Sequence, residues 1–282
     1  MHVRAQAAAL RSAGHECVVQ CPPGWLADSL KADGFDVVEH DFRDRISGVV
    51  SGLGAGPYDL VHAHPFAARE VGLQVADVLD IPFVLTIHGS YLDDLPRYAA
   101  RVTRVVAVSK AAMEMLCRTV PELQPKVCLV PNGVNLDLFR PPSTPIDRPT
   151  RKHGTPRVLV VGRLDSDRRR VSAEVVTTWQ QQRVGRPAWQ WLVAGDGDSR
   201  LDLQRTVGDE VAFLGWQSQE ELARLHTSVD VVVASGRSAL EALAGAAAVV
   251  ASGSRCHVGL IDERRVGYAI EVNFGDSGPL GR

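Results

Sequence analysis

The chain has 282 residues, 45% hydrophobic and 23% charged, with a formal net charge of −2 at pH 7. That balance describes a globular protein long enough for two ordinary domains and excludes a dedicated nucleic-acid binder, so any basic site must be local. No run approaches 18 uninterrupted apolar residues, and Met1 to Leu10 lacks the apolar core of a signal peptide, so a cytoplasmic protein is expected, with at most peripheral contact at the inner face of the membrane.

Met1 to Gly14 has a helical pattern closed by glycine. Glu16 to Cys21 reads as a strand, Trp25 to Asp33 as a short helix ending at Gly34, and Phe35 to Glu39 as a second strand. The five cysteines include no Cys-x-x-Cys pair, which fits a reducing compartment, and Cys17 and Cys21 are taken as core thiols. Tyr58 to His64 is the next strand, Pro65 to Leu79 a helix, and Pro82 to Gly89, Thr103 to Val108 and Val127 to Val130 are further strands. Such alternation of buried strands with crossover helices predicts a parallel sheet covered on both faces.

Between Phe139 and Pro156 the periodicity lapses and five prolines fall together, which marks an interdomain linker. The expected division is a first Rossmann-like domain at 1–138, a linker at 139–156 and a second such domain at 157–282. After the linker, Arg157 to Val161, Trp189 to Ala194 and Val211 to Leu214 are strands, with helices over Val171 to Arg183 and Gln219 to His226. Val229 to Ala234 is a buried strand running through a turn at Gly236 into a helix opening near Ser238, with another strand at Val249–Ser252. Tyr268 to Val272 is expected to be the final strand. Two α/β lobes of this kind bind ligands at the carboxyl ends of their strands.

The chemistry-bearing residues fall at those ends. A helix that starts where a buried strand stops offers unpaired N–H groups and a positive dipole end to an anion. Arg237 adds a fork-shaped cation there, and Glu241, one turn on, can accept from vicinal hydroxyls such as those of a ribose; the alternative is a plain helix start with a solvated Arg and Glu. Four arginines, Arg163, Arg168, Arg169 and Arg170, crowd the segment that begins at Gly162 after a strand, where they could hold a pyrophosphate or form a solvated charged face. Gly195-Asp196-Gly197 permits close backbone approach to a ligand or makes only a turn. His88 ends a buried strand, placed either to bond a sugar or leaving-group oxygen or as a satisfied core residue. His62 and His64 share one side of their strand, but no carboxylate is spaced to complete a metal site with them.

Taken in order, Pro131-Asn132-Gly133-Val134, Gly162-Arg163-Leu164, Ala194-Gly195-Asp196-Gly197, Phe213-Leu214-Gly215-Trp216 and Ala239-Leu240-Glu241-Ala242-Leu243-Ala244 resemble the family 4 glycosyltransferases. The resemblance implies a GT-B fold, two Rossmann-like lobes with parallel sheets facing across a cleft. It implies retaining, metal-independent transfer of a sugar from a nucleotide-diphospho-sugar to a sugar, lipid or small-molecule acceptor, with no cofactor. On the matching positions, Gly162, Arg163, Arg168 and Arg169 would hold the donor diphosphate, together with Gly236, Arg237, Ser238, Ala239 and Leu240. Glu241 would hold the ribose, Gly195, Asp196 and Gly197 would line the nucleotide site, and His88 would be the catalytic residue at the donor sugar.

The sequence departs from the family pattern in three places. Arg168 stands where the family usually has Lys. Val233 stands eight positions before Glu241, where the family has a second Glu. Both ends look short, and the missing first strand is the central one of an expected 3-2-1-4-5 sheet, so the expectation is that either the strands near Val18 and Val61 pair directly or the chain is a fragment of a longer protein. A catalytically inactive nucleotide-binding or scaffold protein is the alternative those departures raise. A nucleotide-sugar 2-epimerase shares the two-lobe architecture but lacks a candidate pair of acid and base carboxylates here.

Overall fold

The computed structural model describes residues 2–42, 53, 56–141, 155–165, 169–182 and 189–280. Contacts divide the chain into two compact units, the first of residues 1–88, 92–106 and 120–128, the second of 89–91, 107–119 and 129–282. Much of the expected linker, residues 142–154, lies outside the described residues, as does Arg168.

In the first unit, β1 (Val18–Cys21) pairs in parallel with β2 (Asp36–Glu39), covered by helices His2–Ser12 and Trp25–Ala32. Ala7, Val19, Cys21, Ala27, Leu30 and Phe35 make that core. Gly14 and Gly34 end the two helices at φ 89° and 76°, values that cost an L side chain strain. A separate sheet runs β3 (Val61–Ala63), β4 (Phe83–Ile87), β5 (Arg104–Ala107) and β6 (Val127–Leu129). Among the described residues β1 and β3 do not pair with each other, so the expected direct pairing does not form. The buried Nε2 of Gln20 on β1 has no hydrogen-bond partner among the described residues.

The second unit is a six-stranded sheet ordered β12-β11-β10-β7-β8-β9: β7 (Arg157–Val161), β8 (Gln190–Ala194), β9 (Val211–Gly215), β10 (Val231–Ala234), β11 (Ala248–Ser252) and β12 (His257–Leu260). All its pairs are parallel except β11 with β12. Side-chain alternation along β7 sorts its residues between two cores. Leu159 and Val161 join Val232, Ala234, Val249 and Ala251 beneath Leu222, Ala239, Ala242 and Ala269. Val158 and Val160 join Trp191, Val193 and Val211 beneath Val175, Trp179, Leu203 and Val207 on the other face. The continuous apolar runs of the sequence are therefore strands buried on both sides, as a parallel sheet requires.

Several expected elements change. Tyr268 to Glu271 belong to helix Val266–Glu271, with Val272 as its C-cap, and not to a final strand. Ala269 and Val272 are buried while Tyr268 and Ile270 are exposed, a spacing of three that fits a helix and not an alternating strand. The last strand is instead β12, a half-exposed edge that turns back antiparallel on β11. The helix after β10 opens at Gly236, two residues before the expected Ser238. Helices Lys110–Thr119 and Arg200–Val207 have no counterpart among the expected elements. The first carried a signal in Ser109, whose hydroxyl accepts from Ala112 N–H at 3.2 Å as an N-cap does.

Candidate functional site

The second sheet reverses its winding at β7. From β7 the chain steps outward to β8 and β9 on one side, and β10, β11 and β12 continue on the other. The loops that leave β7 and β10 therefore part in opposite directions and open a crevice at the strand carboxyl ends, the place where α/β sheets hold ligands. Gly162-Arg163 follows β7 and Ser235-Gly236 follows β10, so the two principal sequence candidates flank this point.

The loops beside it are shaped by glycine. An added Cβ at Gly195 would lie 1.9 Å from the Gly162 carbonyl oxygen, and one at Gly197 would lie 2.4 Å from Leu164 C. Both glycines have φ near the edge of the left-handed range, 156° and 157°. Backbone bonds lock the stack: Gly162 N–H donates to Ala194 O at 3.1 Å, Leu164 N–H to Asp196 O at 2.9 Å, and Gly195 N–H to Gly215 O at 2.8 Å. The Gly195–Gly197 turn thus fixes the Gly162–Leu164 loop. Arg163 itself is 63% exposed and its Nη1 donates to Asp165 Oδ2 at 2.8 Å. Arg169 opens the helix that follows.

Gly236 has φ 53°, and a Cβ there would stand 2.8 Å from Asp276 Oδ2. Helix Gly236–Ala244 begins at this residue. Ala239 N–H is taken by the Ser235 carbonyl at 3.3 Å, so the amides open to a ligand are those of Gly236, Arg237 and Ser238; Ala239 and Leu240 already belong to the helical ladder. Glu241 is 3% exposed; its Oε1 receives Arg237 Nε at 3.0 Å and Gln219 Nε2 at 3.4 Å. Burial pushes the Glu241 carboxyl above its ordinary pKa, with Arg237 and the Gln219 amide pulling the other way. Sequence reasoning missed Asp276 and Asn273, which close the back of this loop. Asn273, Phe274 and Gly275 are all left-handed, and Asn273 Oδ1 accepts from Asn132 Nδ2 at 3.1 Å. The Asn-Gly that follows Pro131 was the available hint.

His88 belongs to the first unit, just past β4, where His64 Nδ1 lies 2.8 Å from its Nε2. Burial and the neighbouring imidazoles push His64 down to a pKa of about 3. The same unit holds a cavity of about 550 Å³ lined by Phe66, Ala67, Arg69, Glu70, Leu92, Asp93 and Asp94, beyond the carboxyl ends of β3 and β4. Asp93 accepts from Phe66 N–H with both oxygens at 3.1 Å and from Arg69 Nε at 3.1 Å; burial still drives its pKa up. Phe66, Asp93 and Asp94 are left-handed at φ 67°, 47° and 56°, strain of the kind that collects at binding sites.

The β7/β10 switch point thus carries a glycine-shaped loop on one side and, on the other, a helix start with Arg237 and the buried Glu241. Residues 1–138 match Glycosyltransferase Family 4 and residues 155–276 match Glycosyl transferases group 1, and the chain belongs to this family of glycosyltransferases. An uncharacterized glycosyltransferase of Methanocaldococcus jannaschii is 28% identical over 232 residues, 71% of this chain and 59% of its own length. The D-inositol 3-phosphate glycosyltransferase of Mycolicibacterium smegmatis is 26% identical over 295 residues, 93% of this chain and 67% of its own. The chain thus spans about three fifths to two thirds of these relatives. Among solved structures, a glycosyltransferase from Rickettsia africae ESF-5 superposes with a TM-score of 0.70 at 17% identity, covering 88% of this chain and 73% of its own. HepE of Anabaena, solved in complex with UDP and glucose, gives 0.68 at 18%, covering 83% and 72%. At such identities the likeness establishes the GT-B fold. No helix among the described residues is long and apolar enough to cross a membrane.

Proposed function

We infer that the chain moves a hexosyl group from a nucleotide-diphospho-sugar to an acceptor with retention of configuration, the donor held by the second unit. The observation that carries this reading is the pairing of Gly162-Arg163 and the Gly236 helix start across the β7/β10 switch point. Negative charge grows on the leaving diphosphate as the sugar departs. The open amides of Gly236 to Ser238, the helix dipole and the guanidinium groups of Arg163 and Arg237 stabilise it without a metal ion. Arg168 and Arg169 add charge to the same segment, and Gly195 to Gly197 holds the loop in place. Both contacts to Glu241 fall on Oε1, which leaves Oε2 to accept from the ribose hydroxyls. His88 serves the donor sugar as the catalytic residue.

The acceptor belongs to the first unit, in the cavity at Arg69 and Asp93. Three carboxylates, Glu70, Asp93 and Asp94, surround one guanidinium there, a lining that favours a hydroxyl-rich acceptor over a phosphorylated one. Polysaccharide, glycolipid or glycoside synthesis, at the inner face of a membrane or in the cytoplasm, would supply such acceptors. Titration with UDP, GDP and ADP followed by hydrolysis of the matching donor sugar tests the reading. Binding of one diphosphate with slow release of free sugar is expected, and binding of none overturns it. Val233 supports a second reading: it sits inside β10, paired with Val250 and Val160, where the family's other Glu would be. An inactive nucleotide-binding protein would bind the diphosphate and hydrolyse no donor.

A further inference from the structure

We propose that His2, His64 and His88 form a binding site for a transition-metal ion of the zinc class. One ring nitrogen from each of the three lies within 4.8 Å of the others. They come from separate elements: His2 from the first turn of helix His2–Ser12, His64 from the end of β3 and His88 from the end of β4. The rings of His64 and His88 stack at 5.0 Å with 16° between planes, and His2 stands edge-on to both, at 75° and 77°. Nitrogens at about 2.0–2.1 Å from a tetrahedral zinc ion are about 3.4 Å apart, so closure on an ion needs ring movements of about 1 Å. The ion would replace the direct contact between His64 and His88.

His62 is not a fourth ligand. Its Nδ1 faces Gln6 Nε2 at 3.0 Å and its Nε2 faces Thr86 Oγ1 at 2.7 Å, while its ring stacks on His64 at 5.3 Å and fixes that plane. Three imidazoles without a carboxylate select Zn²⁺, Co²⁺, Ni²⁺ or Cu²⁺ over Mg²⁺ and Ca²⁺ and leave one coordination position for water or another ligand. Binding stands on this geometry alone. Its consequence rests on the donor reading above: an ion held by His88 occupies the residue assigned to the donor sugar, so occupancy inhibits transfer instead of supporting it.

The test is Co²⁺ titration of the full chain, freed of metal and carrying no histidine tag, followed by visible spectroscopy and displacement with Zn²⁺. One equivalent of Co²⁺ should give the intense d–d bands of a four- or five-coordinate site, Zn²⁺ should erase them and Mg²⁺ should not. His2→Ala and His64→Ala should each lose the bands while keeping the parent's far-ultraviolet dichroism, and His15→Ala, remote in the sequence and exposed, should keep them. Absence of bands in the parent, or their persistence in both His2→Ala and His64→Ala, overturns the site. Reversible inhibition of donor hydrolysis by Zn²⁺ tests the consequence separately, so an inactive enzyme leaves the spectral result decisive.

Discussion

His226 sets the acid limit of the second unit. It lies in helix Gln219–Ser228, 1% exposed, its ring 5.8 Å from that of Phe139, and among the described residues neither ring nitrogen has a hydrogen-bond partner. Burial alone pushes it from 6.5 to about 4. The folded pKa lies below the unfolded one, so the contribution to stability is intact above pH 6.5 and is lost as pH falls toward 4. Integrating the two titrations gives a loss of about 2 kcal/mol at pH 5, with a ceiling of about 3 kcal/mol below pH 4. His226→Leu keeps an apolar side chain of similar reach and removes both the titration and two unpaired polar atoms. Urea unfolding followed by the fluorescence of Trp179 and Trp191, which lie in the core of the same unit, should show parent and variant diverging by about 2 kcal/mol between pH 7.5 and pH 5, with the parent the weaker. Parallel pH dependence, or a His226 resonance titrating near 6.5, would refute the argument. The His15→Leu variant, altered at an exposed position, should track the parent.

Three further outcomes follow from the second unit. Glu241, raised by burial, stabilises the fold below its unfolded pKa near 4.5 and loses that contribution as pH rises through its folded value; Glu241→Gln should flatten this slope and so gain stability over the parent toward neutral pH, while weakening ordinary but not 2′,3′-dideoxy nucleotide binding in calorimetric titrations. Arg163→Ala should weaken nucleoside diphosphate and donor alike, by about fivefold, because an exposed Arg already paired with Asp165 gains only about 1 kcal/mol on moving to phosphate. Gly195→Ala should cost at least about 2 kcal/mol in thermal or urea unfolding and weaken nucleotide binding with it, since its Cβ would collide with the Gly162 carbonyl; an unchanged melting temperature would show that the two loops are not locked together.

The second unit is legible in the sequence because buried parallel strands are written as unbroken apolar runs, and Val158–Val161 needs no partner to be recognised as one. Its loops are legible as well, since Gly195, Gly197 and Gly236 sit where φ turns positive and where a Cβ would strike backbone or a carboxylate. The sequence fails as a guide where spacing is ambiguous. Five residues from Tyr268 to Val272 carry too few turns to separate a period of two from one of 3.6, and edge strand β12 is too exposed to form an apolar run. Contacts between distant residues were also beyond reach, among them Asp276 behind Gly236 and the meeting of His2 with His64 and His88.

The rules broken in this chain point to where its chemistry lies. A buried carboxylate held above its ordinary pKa works against stability, and a turn at φ 53° with Asp276 Oδ2 only 2.8 Å from where a Cβ would stand admits no residue but glycine at position 236. Both occur at the β7/β10 switch point, beside glycines that a merely structural turn would not require so closely packed. A structural explanation would have to account for each cost separately. On the reading proposed above, nucleotide binding would account for them together: the Gly236 turn would bring amides to a phosphate, Arg237 would offer charge both to that phosphate and to Glu241, and Glu241 would keep an acceptor for a ribose hydroxyl. On this argument Arg237→Ala should be the most damaging single change in the cradle, since it would remove the proposed phosphate contact and leave Glu241 buried without its cation; it should lower both nucleotide affinity and stability at neutral pH, and its stability loss should shrink as pH falls through the folded pKa of Glu241, which lies above 4.5, and the carboxyl takes up a proton. A stability loss independent of pH would separate Arg237 from Glu241 and return the pair to the helix surface.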